Sequence, residues 1–206
     1  MIWIAIVAGF MLVLAYLWYV ALIRRRNRVQ EALSSIDVQL RKRHDLLPNV
    51  LKMAERFMAH ERELLARLTE LRNQAQAPYD PRIGEQVRQH LDAEGSLQAG
   101  LRQLFAVAEN YPELRSSETM SNAQLTFNEV EGHIAAARRF YNAAVTELNN
   151  AVQIFPGSLI AGFARVQTMP FFEIEDEAAR QPVDVSDVLG QSTGVPQEGA
   201  SPKQGS

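Results

Sequence analysis

The 206-residue chain contains no cysteine. That absence excludes a disulfide framework, thiolate zinc sites, a cysteine nucleophile and an anchor lipidated on cysteine. It leaves the redox compartment open, because a chain without thiols tolerates either environment. Proline and glycine are sparse, nine and eleven residues, and gather late in the chain, so long uninterrupted helices have room to form. Strong charge of one sign is missing too: the net charge is −3, and no global basic field points to nucleic acid. Phosphate-cradling glycine loops, nucleophile elbows and dinucleotide fingerprints do not occur. His60-Glu61 begins like a zinc-protease pair, but the second histidine is replaced by Leu64. Glu129 and Glu131 precede His133 at the wrong spacing for a di-iron bundle. The sequence therefore implies no catalytic residue, no metal site, no cofactor and no enzyme.

What is present begins with an uncharged run, Ile2 to Ile23. About 22 helical residues span roughly 33 Å, close to the hydrocarbon thickness of a bilayer. Trp3 stands at one edge and Tyr16, Trp18 and Tyr19 near the other, as an aromatic belt would. A cleaved signal peptide fits poorly, since there is no basic leading region and no small-residue cleavage site. Arg24, Arg25, Arg26 and Arg28 flank the C-terminal side. By the positive-inside rule the N-terminus lies outside and the body in the cytoplasm. Arg41, Lys42 and Arg43 read as a solvated helix face, and His44, Asp45 and His90 as solvated.

Past the arginines, apolar residues recur in steps of four and three: Val29, Leu33, Ile36, Leu40, Leu47, Val50, Ala54, Phe57, Leu64, Leu68 and Leu71, interrupted at Arg43 and Glu61. This pattern predicts one long helix to about Gln76, kinked at Pro48. Ala77 to Pro81 is a turn, with Asp80 as a cap. A second helix follows to about Tyr111, where Pro112 stops it, and Gly95 and Gly100 permit close packing. The third runs from Ser116 or Ser117 to Pro156-Gly157, and a short fourth from Ser158 to about Arg165. Pro170-Phe171-Phe172 reads as packed on the bundle.

The strings Ile36 to Asn49, Ala106 to Leu114, Ile134 to Asn142, Asn149 to Pro156 and Pro170 to Glu173 resemble the LemA family, in the right order from about Ile2 to Val185. Ala32-Leu33 departs from a tryptophan-containing string common there. The resemblance implies a single-pass bacterial inner-membrane protein with a cytoplasmic helical bundle, and no enzyme activity. The fold class is then all-α. A transmembrane helix (1–23) precedes an elongated antiparallel bundle of three long helices and a short fourth (24–185). A disordered tail (186–206) follows.

Two further expectations concern function. Asp37, Asp45, Asn49, Arg138, Arg139, Tyr141, Asn142 and Asn149 lie near the apolar seams and read as a structural polar set or, alternatively, a ligand contact site. By length, the second helix reaches back only to the level of Pro48. Val29, Leu33, Ile36 and Leu40 then lack a partner from their own chain, which points to self-association beside the membrane. The functional expectation is a non-enzymatic, membrane-anchored scaffold with the bilayer, further copies of itself and unknown proteins as partners. The alternative is a sensory or ligand-binding module coupled through the first helix.

Overall fold

The computed structural model describes residues 1–173, and the tail expected from residue 186, with the segment leading to it, lies outside the described residues. Among the described residues there are six helices and no strand: α1 (Ile2–Phe57), α2 (Arg62–Ala75), α3 (Gly84–Ala108), α4 (Pro112–Arg115), α5 (Glu118–Gln153) and α6 (Gly157–Ala164).

α1 is continuous for 56 residues, or roughly 84 Å at the α-helical rise. Pro48 lies inside it on the solvent side and does not end it. The single helix expected to reach Gln76 instead breaks at residues 58–61. There the Met58 amide donates to the Ala54 carbonyl at 2.7 Å, and the Glu61 amide to the Met58 carbonyl at 2.9 Å. The Met58 side chain is fully buried, and Tyr111 donates its hydroxyl to Glu61 Oε1 at 3.2 Å. Packing stops this helix, with neither glycine nor proline present. The seam hides the break because Phe57 and Leu64 are seven residues apart and stay in phase.

Asp80 does not cap the following helix. Its carboxylate accepts from the Arg82 amide at 2.9 Å, and α3 starts at Gly84. Gly100 allows close approach: a Cβ there would lie 2.8 Å from Leu68 Cδ2, whereas one at Gly95 would meet nothing. Gly157 is required outright, because a Cβ would lie 2.0 Å from the Ala151 carbonyl oxygen.

The core falls into two apolar clusters. One gathers Leu22, Val29, Leu33, Ile36 and Leu40 of α1 with Val87 and Leu91 of α3 and Val130, Ile134, Tyr141, Val145 and Leu148 of α5, closed by Ala161, Val166, Met169 and Phe172. The other joins Leu47 to Met58 with the apolar faces of α2 and α3, Leu114, Met120 and Phe127. Arg28 pairs with Glu147 at 3.0 Å and Arg43 with Glu131 at 3.0 Å, so residue numbers rise along α5 as they fall along α1. This corrects the premise for self-association: Val29, Leu33, Ile36 and Leu40 are buried within their own chain. α5, 36 residues long, lies against the stretch of α1 that the second helix was too short to reach.

Candidate functional site: a buried charge layer and its polar neighbours

Between the two clusters lies a layer of polar side chains contributed by α1, α3 and α5. Arg43 falls on the α1 seam between Leu40 and Leu47, Glu94 on α3 between Leu91 and Leu97, and Glu131 on α5 next to the core residue Val130. Helical periodicity turns each of them inward with its apolar neighbours. Arg43 is 2% exposed and Glu94 1%. The guanidinium donates to Glu94 Oε2, to the Glu94 carbonyl at 3.1 Å and to Glu131 Oε1 at 3.0 Å. His44 Nε2 donates to Glu94 Oε1 at 2.7 Å, and the Gln98 amide to Glu131 Oε2. Burial alone pushes the Glu94 carboxyl up. The hydrogen bond from His44 and the charge of Arg43 outweigh it and hold the pKa below the usual carboxylate value. Glu94 is therefore ionised at neutral pH. Arg43 and His44 are thus core residues rather than parts of a solvated face.

A second polar group sits one to two turns along α1. Tyr79 donates to Asp37 Oδ2 at 2.8 Å and stacks on His90, ring centroids 4.1 Å apart. His90 Nε2 lies 3.6 Å from Asp37 Oδ1, and its ring is largely buried rather than solvated. Burial, then the bond to Asp37, raises the Tyr79 pKa far above that of a free phenol. The phenol stays a donor throughout the accessible pH range.

The remaining expected polar residues divide. Asn142 and Asn149 each bracket the backbone that follows α6. Asn149 Nδ2 donates to the Met169 carbonyl while its Oδ1 accepts the Met169 amide, both at 2.9 Å. Asn142 does the same with Phe172 at 3.1 and 2.9 Å. Tyr141 donates to the Pro170 carbonyl at 2.8 Å, and Arg138 stands over the Phe172 ring. Two asparagines seven residues apart fall on one helix face, and each supplies the donor and the acceptor that an extended segment lacks. Asp45, Asn49 and Arg139 are exposed and take no part.

Two spaces lie among the described residues near these groups. The gap beside Arg43, lined by Leu47, Leu101 and Phe127, is about 10 Å³, room for no more than one water. An open depression of about 460 Å³ lies between Gly84, Arg88, Thr168 and Met169. Neither is lined by Asn49, Arg138 or Tyr141.

Of the expected interface residues, Trp3, Tyr16, Trp18, Tyr19 and Arg24 are exposed, and Arg25 and Arg26 are half-buried. Arg28 forms the exposed pair with Glu147. The first part of α1 is long and apolar enough to cross a membrane, and its side chains stay outside the core, unlike a soluble protein's central helix.

These features define an all-helical protein with a candidate N-terminal membrane anchor. The chain belongs to the LemA family, which it matches over residues 32–186. It is similar to Magnetosome protein MamQ of Magnetospirillum gryphiswaldense, at 24% identity over 172 residues, covering 72% of this chain and 63% of that protein. MamQ 1 and MamQ 2 of Paramagnetospirillum magneticum are each 26% identical over 157 residues, covering 65% of this chain and 58% of theirs. The chain thus spans about three-fifths of the length of the curated relatives it matches.

Two outcomes follow for the buried layer. Arg43→Ala or Glu94→Ala alone strands a buried charge and costs about 3–5 kcal/mol in denaturant unfolding. The double variant Arg43→Ala with Glu94→Ala costs clearly less than the two single losses summed; additive losses would mean that the pair is not coupled. The second outcome concerns acid. The folded pKa of Glu94 is depressed, so its stabilisation is present above the unfolded carboxyl pKa and fades as pH falls through the folded value. Unfolding measured from neutral pH down through the carboxylate range should lose stability progressively, and Glu94→Gln should flatten that loss.

Proposed function

We propose that this protein is a non-enzymatic scaffold of the LemA type, held in the bacterial cytoplasmic membrane by the apolar part of α1. Its N-terminus lies outside, and an antiparallel bundle of α1, α2, α3 and α5 lies in the cytoplasm. The observation that carries the reading is continuity. The helix that supplies the exposed apolar run also supplies Leu22 through Ala54 to the core, so anchor and bundle are one rigid element. The polar side chains near the seams are used inward: Asn142 and Asn149 hold backbone, and Arg43 and Glu94 neutralise each other inside the core. The arginines after the run support the orientation. The scaffold meets partners, further copies of itself included, through exposed apolar groups such as Leu125 and Phe140 on α5. The buried seam near the membrane is not that surface.

A sensory module is the second reading. It is favoured by the same unbroken helix, through which a displacement in the bilayer would reach the Asp37–Tyr79–His90 group. The MamQ relatives are magnetosome proteins by name; no magnetosome role is carried over to this chain.

The native absence of thiols makes topology testable with single cysteines. Ala59→Cys, at the exposed break between α1 and α2, should resist a membrane-impermeant maleimide in intact cells and react in inverted vesicles. Reaction in intact cells would reverse the orientation. A photo-crosslinker at Leu125 or Phe140 should yield discrete protein adducts in membranes. Their absence at both positions would remove the scaffold role.

A further inference from the structure

The end of α5 and the whole of α6 carry a concentration of exposed apolar side chains that the fold does not use. Ile154 is 62% exposed, Phe155 73%, Leu159 66% and Phe163 98%. Leu159 and Phe163 are four residues apart on one face of α6, and its opposite face, Ile160, Ala161 and Ala164, packs into the core. Not one charged residue occurs from Leu148 to Ala164, whereas Glu147 before and Arg165 after this stretch are both charged. An aqueous surface rarely tolerates so large an apolar patch without an occupant.

The register of α1 against α5 says where this patch lies. Glu131 is level with Arg43 and Glu147 with Arg28, and continuing that opposed numbering brings the last turn of α5 level with Leu22. Leu22 and Ile23 join the same core cluster as Ala151, Val152, Ile160, Ala161 and Ala164. The segment after α6 then runs back along α5, with Met169 at Asn149 and Phe172 at Asn142. The α5–α6 corner is therefore the extremity of the bundle nearest the apolar run. It lies beside the last residues of that run; Arg24, Arg25 and Arg26 follow the run directly in the sequence, and Arg165 follows α6.

We propose that Ile154, Phe155, Leu159 and Phe163 dip into the bilayer that holds α1, making the α5–α6 corner a second, interfacial membrane contact. The occupant is lipid: acyl chains meet the four apolar side chains, and the arginines meet anionic headgroups. Continuity with the apolar run is the reason to choose lipid over a second copy or another protein, since a membrane crossed by that run necessarily lies against this corner. The two contacts together would fix the tilt of the bundle on the membrane, which a single helix leaves free. The proposal rests on the anchor reading of α1.

The test uses the full chain in vesicles of phosphatidylethanolamine and phosphatidylglycerol, with one cysteine at a time labelled by bimane. Phe163→Cys and Leu159→Cys replace exposed side chains and spare the core. Leu12→Cys reports the apolar run, and Ala59→Cys the far end of the bundle. Lipids brominated on their acyl chains should quench the labels at 12, 159 and 163 and leave that at 59 unchanged. Adding Phe163→Asp should release the label at 159 from quenching. Quenching at 12 without quenching at 159 or 163 overturns the interfacial contact and leaves the anchor standing. A blue-shifted but unquenched label at 163 would assign the corner to a protein or a second copy, and so overturn it too. No quenching at 12 sinks the anchor reading, and the proposal with it.

Discussion

Arg43 is the constraint around which the bundle is arranged. A guanidinium that is 2% exposed draws its partners from inside the protein, and here its two Nη groups find them on two other helices, Glu94 of α3 and Glu131 of α5, while Nε has none among the described residues. Such a layer is a poor source of net stability, because desolvating the charges offsets much of their attraction. Its effect is on register. A slip of α5 by one turn would set Phe127 or Ala135 opposite the guanidinium and leave a buried charge without a carboxylate. The apolar seams above and below would meet other apolar residues after such a slip, at a packing cost but with no buried charge left unpaired. His44 and Gln98 complete the layer by bonding the second oxygens of the two carboxylates.

Once the register is set, the placement of the other parts follows. Glu147 meets Arg28, and the end of α5 arrives beside Leu22. Gly157 admits the tight turn into α6. The backbone after α6 is then held by the paired bonds of Asn149 and Asn142. The apolar run and the bundle share α1, so any force on one is felt by the other without an intervening linker.

Much of this was legible in the sequence. The uncharged run, the arginine cluster, the helical class and the helix ends near Pro112 and Pro156-Gly157 all leave direct marks. The break at residues 58–61 left none, because it contains no glycine or proline and its flanking apolar residues remain in phase. Asp80 misled for a local reason, in that Arg82 took the carboxylate that would have capped α3. The charge layer did leave a signal: Arg43 and Glu94 each interrupt an apolar seam at a core position with opposite signs, whereas Glu131 lies beside a seam that Val130 keeps unbroken. Reading each interruption singly made Arg43 look solvated. Only the three helices together show that the charges answer one another. The seam Val29 to Leu40 looked uncovered because its partner is α5, more than 80 residues further along the chain, and helix lengths alone favoured the nearer α3.

The most direct test of this account is whether the Arg43 guanidinium is enclosed. NMR of the full chain in detergent, with arginine side chains labelled with nitrogen-15, reads that from its Nη protons. The account predicts resolved, slowly exchanging Nη signals for Arg43 that disappear in Glu94→Ala. Rapidly exchanging, averaged signals like those of Arg24 or Arg41 would contradict it.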